Sequence, residues 1–209
     1  RDTLYVADAG NHRVAHFLKA ARVYHGAYPQ ASALGRGALA TIEGEELAQA
    51  ESSNVAPLSG SLAEREVVVD DVLRAPLISV SPTAINLQLP TTSPTGSARL
   101  AVRVSETGEL IAGSQVAVAS YAPGLFTKVL NQDGTTNSES SPAVRGTTIR
   151  ITGTGQGPVS PSIADGDMAP EGAINTVAIP TTDGNTCLTR QPSVCIAVGN
   201  TFGQVRFLG

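Results

Sequence analysis

The side chains that do most of the chemistry in proteins are few in this sequence and stand far apart. The three histidines, His12, His16 and His25, all precede Gly26. On a strand His12 and His16 would lie about 13 Å apart, too far to share a metal ion. The two cysteines, Cys187 and Cys195, occur in NTCLTRQPSVC with no histidine nearby, so they cannot complete a tetrahedral zinc site. The polar loop between them contains Pro192, and a disulfide closing that loop is expected, which would imply an oxidising compartment. Two buried thiols are the alternative. Asp70, Asp71, Asp133, Asp165 and Asp167 lie beside glycine or in turn-like stretches, where aspartate stabilises loops, and none opens an EF-hand. Serine and threonine are abundant, but no G-x-S-x-G elbow occurs. GTGQG at 153–157 runs on to Pro158 and not into a helix, so it reads as a loop and a poor phosphate cradle. The expectation is a protein with no catalytic residues, no metal and no cofactor, and therefore not an enzyme.

The elements that would position these residues are strands. With 21 glycines, 13 prolines, 15% charged and 4% aromatic residues, the 209-residue chain has the makeup of a turn-rich β protein, long enough for one large or two small domains. Its net charge is −4, and Lys19 and Lys128 are the only lysines, so nucleic acid is not expected as a partner. No apolar run approaches the roughly 20 residues of a helical membrane span. The first residue is Arg1, as expected after removal of a signal peptide or for a piece of a longer protein.

Leu4–Leu18, LYVADAGNHRVAHFL, contains two strand-like runs joined by the turn Asp8-Ala9-Gly10-Asn11. A third run, Ala21–Ala27, follows, and Pro29 to Gly35 reads as a linker. DAGNHRV resembles the signature of NHL repeats, in which one such unit is part of a β-propeller blade. It occurs once, and a propeller needs several blades to close. The segment is therefore expected to be a hairpin arm.

Beyond the arm the sequence repeats itself. Gly37, Ile42 and Gly44 in GALATIEG recur at the same spacing as Gly146, Ile151 and Gly153 in GTTIRITG. VVVDDVLRAPLISVSP at 67–82 aligns with IAVGNTFGQVRFLG at 196–209, each a strand, a tight polar turn and another strand. Strands are predicted at Leu39–Ile42, Val67–Val69, Pro76–Val80, Ala84–Leu89, Ala98–Val104 and Gln115–Ser120 in the first copy. In the second they are predicted at Gly124–Val129, Thr147–Thr152, Ala173–Ile179, Cys195–Val198 and Gln204–Leu208. A helical turn is conceivable only at Glu45–Ala50. Short strands separated by turn signals, without a stripe at helical spacing, predict an immunoglobulin-like sandwich.

Three motifs carry a family resemblance: SPT-x-IN-x-Q-x-P (81–90), APG-x-FT (122–127) and NQDGT-x-N (131–137). Together they resemble the tandem immunoglobulin-like modules, related to IPT/TIG domains, near the C-termini of large secreted proteins of soil bacteria. In that family such modules commonly follow NHL-type propellers, and no enzymatic activity attaches to the modules as such. The fold expected is all-β: an N-terminal arm over 1–35, a first sandwich over 36–122 and a second over 123–209 that lacks its last strands. A sandwich short of strands exposes an apolar groove and unpaired edges. The expected function is that of a structural subunit of an extracellular fibre or surface polymer. It would assemble head to tail by donating the arm into a neighbour's incomplete sandwich, through Leu4, Tyr5, Val6, Val14, His16, Phe17 and Leu18. The alternative is a non-catalytic adhesion, carbohydrate-binding or spacer module of a longer secreted protein. The expected partner is a second copy of the chain. No N-x-S/T sequon occurs, but TTSPTGS at 91–97 could carry O-linked glycans.

Overall fold

The computed structural model describes residues 4–11, 13–17, 19–168, 175–176, 197–198 and 201–202, with side chains over 20–168. Among these residues the secondary structure is strand, apart from one 3-10 turn at Ala9–Asn11. In chain order the strands are β1 (Leu4–Asp8), β2 (Arg13–Phe17), β3 (Lys19–Ala20), β4 (Arg22–His25), β5 (Leu34–Gly35), β6 (Leu39–Glu43) and β7 (Ser52–Ser53). Then come β8 (Ser61–Leu62), β9 (Arg65–Val69), β10 (Leu73–Arg74), β11 (Leu77–Val80), β12 (Ala84–Gln88), β13 (Gly96–Val104) and β14 (Leu110–Ala119). The last are β15 (Gly124–Leu130), β16 (Arg150–Thr154), β17 (Val159–Ser160), β18 (Asn175–Thr176), β19 (Ala197–Val198) and β20 (Thr201–Phe202).

Two sheets share one core. The first runs β4-β6-β12-β11-β7 and the second β10-β9-β13-β14-β3, with β8 also on β9 and β5 also on β14. Neighbours are antiparallel except at β14, which takes β3 and β5 in parallel. Strand side chains alternate between faces, and the inward set from both sheets forms a single cluster. Ala40, Ile42, Leu77, Ile85 and Leu87 come from the first sheet, and Val67, Val69, Ala98, Leu100, Val102 and Ala112 from the second.

Residues 19–35, read from the sequence as arm and linker, are hydrogen-bonded into both sheets. β3 pairs with Ala112–Gly113, β4 with β6 and β5 with Val118–Ala119, so the chain crosses from one sheet to the other and back. Glu45–Ala50, the one place where the sequence allows a helical turn, is a loop without helix. Leu47 is fully buried there, its carbonyl accepting a 2.7 Å bond from Nε of the buried Arg65. Burying one leucine and bonding its backbone satisfies this segment better than a six-residue helix could.

On the outer face of the second sheet, Arg99 and Arg103 flank the buried Ala101, and both guanidiniums reach Asp71. Asp70 and Asp71 form the predicted polar turn between β9 and β10, with φ of 48° and 62° and Val72 N–H donating to Val69 C=O at 3.0 Å. The left-handed backbone costs a non-glycine residue about 1–2 kcal/mol, whereas exposed ion pairs contribute about 0.2–1 kcal/mol each. Asp71→Gly is therefore expected to leave stability within about 0.5 kcal/mol of wild type. Asp71→Ala, which loses the pairs and keeps the strain, should be less stable than the glycine variant by about 1 kcal/mol in urea titrations. Equal midpoints for the two variants would contradict this account.

The arm is a hairpin paired with itself. Leu4 faces Phe17, Tyr5 faces His16, Val6 faces Ala15 and Ala7 faces Val14 in its antiparallel register. Among the described residues it joins no other sheet. Leu18 and His12 lie outside the described residues, as do Cys187 and Cys195 with their expected disulfide. β19 and β20 pair across positions 199–200, where the sequence predicts a strand, a turn and a strand.

Candidate functional site

A set of long-range polar contacts lies where the sandwich meets residues 120–168. At its centre is His25, the last residue of β4 and only 1% exposed. Its Nδ1 accepts from the N–H groups of Ala27 and Tyr28 at 3.2 and 3.1 Å, and its Nε2 lies 2.9 Å from the carbonyl oxygen of Ala122. An acceptor at Nδ1 and a donor at Nε2 describe the neutral imidazole with its proton on Nε2. One ring thus holds a turn in the sandwich and the connector after β14. The sequence groups His25 with His12 and His16 in the arm, and the structure places it in β4 of the sandwich, in a different sheet from His16. No local signal marks its role, because its partner is 97 positions away.

Glycines allow the backbones to close around it. Gly155 has φ of 83°, and a Cβ there would collide with the Ala122 carbonyl oxygen. Gly157, with φ of 79°, would place one 2.6 Å from the Ser120 carbonyl oxygen. GTGQG is therefore a close-approach loop, as its lack of a following helix suggests, and its glycines face protein backbone. Ala122 N–H donates to Gly155 C=O at 2.9 Å, and Leu39 N–H donates to Oγ1 of the buried Thr154 at 2.9 Å.

A second set of contacts adjoins the first at β12, where Gln88 pairs with Leu39. Both carboxylate oxygens of Asp165 lie 3.1 Å from the Thr91 N–H, and Gly166 N–H donates to Gln88 Oε1 at 2.7 Å. Leu58 N–H donates to Gly166 C=O at 2.8 Å. Arg36 Nε donates to Ser93 C=O at 2.7 Å.

The NQDGT-x-N motif closes on itself. Asp133 Oδ1 accepts from the Thr135 N–H and hydroxyl at 3.0 and 2.7 Å, Asn131 Nδ2 donates to Ser141 C=O at 2.9 Å, and Asn137 Nδ2 donates to Asn131 Oδ1 at 2.8 Å. The Thr135 hydroxyl and amide hold the Asp133 carboxyl below its ordinary value. Such a group favours the folded loop above its unfolded value and loses that effect as pH falls through the depressed one. An NMR titration should find Asp133 deprotonating below a typical aspartate, and Thr135→Val should move it upward. An unmoved midpoint in that variant would show the hydroxyl is not the cause.

No group of three or more His, Cys, Asp or Glu side chains converges to hold a metal ion among the described residues, and no helix among them is long and apolar enough to cross a membrane. The arrangement joins backbone to backbone through the buried His25 and Thr154 and the half-buried Asp165 and Gln88, so it transmits position. The donor-arm residues Leu4, Tyr5, Val6, Val14, His16 and Phe17 are placed together in the β1–β2 hairpin, away from this junction in sequence and pairing. Set against family models, curated proteins and solved structures, the chain matches none of them.

Proposed function

We propose that the chain is a non-catalytic structural protein of the cell exterior, a stiff β subunit that joins further copies head to tail by strand addition. The observation that carries this reading is the polarity of β14. The arm enters beside Ala112–Gly113, near the start of that ten-residue strand, whereas β15 follows its end. A strand of this length spans roughly 30 Å. β1–β2 and β15–β16 are each two-stranded sheets among the described residues, and a two-stranded sheet is marginal in water unless another strand or layer covers it. One strand pair at each pole is the arrangement that a head-to-tail, open-ended assembly requires.

The fold on which the proposal rests is a tandem of immunoglobulin-like sandwiches related to the IPT/TIG modules. The sheet orders β4-β6-β12-β11 and β9-β13-β14 with β3 and β5 support it: leaving aside the two-residue strands β7, β8 and β10, they are similar to the order of a constant-type immunoglobulin sandwich with its first strand shared between sheets. The internal repeat supports the tandem. Ile42 pairs with Val23 in β4–β6, and its counterpart Ile151 pairs with Val129 in β15–β16. Thr92 and Thr95 are exposed in the β12–β13 loop and Ser97 is exposed near the start of β13, where O-linked glycans would be accessible.

Deletion of residues 1–17 tests the assembly. A cut at residue 28 would also remove β3, β4 and His25 and so would test folding instead. On size exclusion the intact chain is expected to run as concentration-dependent oligomers and the shortened chain as a monomer. Two stable monomers would sink the proposal. They would favour the reading that the bonded junction of His25, Thr154 and Asp165 supports, a rigid spacer or adhesion module within a longer secreted protein.

A further inference from the structure

We propose that the cleft between the β4–β5 loop and the connector at Ala122–Pro123 is a binding site for one neutral sugar unit of a glycan. The cavity has a volume of about 320 Å³, within the range of small-ligand sites. Its wall carries Tyr28, Gln30 and Ser32, and Ala31, Ala122 and Pro123 supply apolar surface. Tyr28 is 54% exposed, in a chain with few aromatic residues. An aromatic ring with a polar tip is suited to one apolar and one wet neighbour. A pyranose presents both, a C–H face for the ring and hydroxyls for the amide of Gln30 and the hydroxyl of Ser32. No charged residue lines the cavity, so nothing in it would select an anionic or cationic ligand. A proline-rich peptide is the less suitable occupant, because such segments dock in grooves lined by several aromatic residues and this cavity has one.

The walls are fixed before any ligand arrives. Tyr28 N–H is held by His25 Nδ1, Ala31 N–H donates to Tyr28 C=O at 2.9 Å, and Ala122 is held at both its N–H and its C=O. A preformed cavity spares the ligand the entropy of ordering its loops. The site does not depend on self-association: its residues lie outside the arm, and Tyr28 reaches His25 through its backbone.

The test is isothermal titration of the full chain with neutral hexasaccharides of glucose, mannose and xylose, a galacturonate hexamer and a proline-rich peptide. At least one neutral sugar is expected to bind with a millimolar or lower dissociation constant, and Tyr28→Ala to weaken it at least about fivefold. That variant should keep the wild-type thermal midpoint and size-exclusion profile, so failure here is separable from failure of the assembly reading. Three results would overturn the proposal: no neutral sugar bound at about 10 mM, undiminished binding by Tyr28→Ala, or binding of the peptide or the acidic hexamer alone.

Discussion

His25→Ala is expected to destabilise the protein by about 4 kcal/mol, a large share of the 5–15 kcal/mol typical of a folded domain. The substitution removes the partner of three groups at once: the N–H groups of Ala27 and Tyr28 and the carbonyl of Ala122. These three groups are only partly buried, so each loses less than the roughly 1–3 kcal/mol of a fully buried group left without a partner, and the ring's volume, lost as well, supplies the rest, since His25 is 1% exposed. Effects of this size come from a short set of mechanisms, of which a broken buried network is one. The two sides of the ring can be separated. Asparagine can supply an acceptor where Nδ1 stands but does not reach Ala122, so His25→Asn should recover roughly half of the loss. Both variants are measured by denaturant unfolding. A loss below about 1 kcal/mol for the alanine variant would mean that the ring does not hold the junction.

The second large effect is expected at Gly155, where alanine should cost about 3–5 kcal/mol. Two terms contribute. A φ of 83° is unfavourable for any L side chain, by about 1–2 kcal/mol. The added Cβ would also meet the carbonyl oxygen of Ala122, the atom that faces His25 Nε2. Backbone cannot rotate aside as a side chain does, so either the Ala122–Gly155 hydrogen bond or the His25 contact must be lost. Gly134 isolates the first term: its φ is 85°, and a Cβ there would meet nothing within 4 Å. Gly134→Ala should therefore cost only about 1 kcal/mol. Equal losses at Gly134 and Gly155 would show that the junction yields without penalty and that close approach does not determine its geometry.

Much of the architecture is written in short-range patterns that can be read without coordinates. Alternation in Ala98–Val104 is enough to place Leu100 and Val102 inward and Arg99 and Arg103 outward, because strand geometry alone sends neighbours to opposite faces. Asp70-Asp71 is legible as a turn because aspartate tolerates the left-handed backbone that a tight hairpin needs. The arm is legible as two strands about a turn for the same kind of reason. What depends on distance is not legible. Residues 19–35 look like arm and linker because their pairs are short, and their partners at 40–43, 112–113 and 118–119 are set by the closing of the whole sandwich.

The same division holds at the junction. Composition and spacing by themselves determined that this is a strand-built, turn-rich chain. They also set a repeated strand-and-glycine pattern at Ile42 and Ile151. Only the tertiary structure decided that His25 leaves the arm for a contact with Ala122, and that Gly155 and Gly157 of GTGQG face Ala122 and Ser120. Local preference constrains each residue's own backbone. Which distant carbonyl it meets is decided by burial: a polar group taken out of water must find a partner wherever the packed sheets place one.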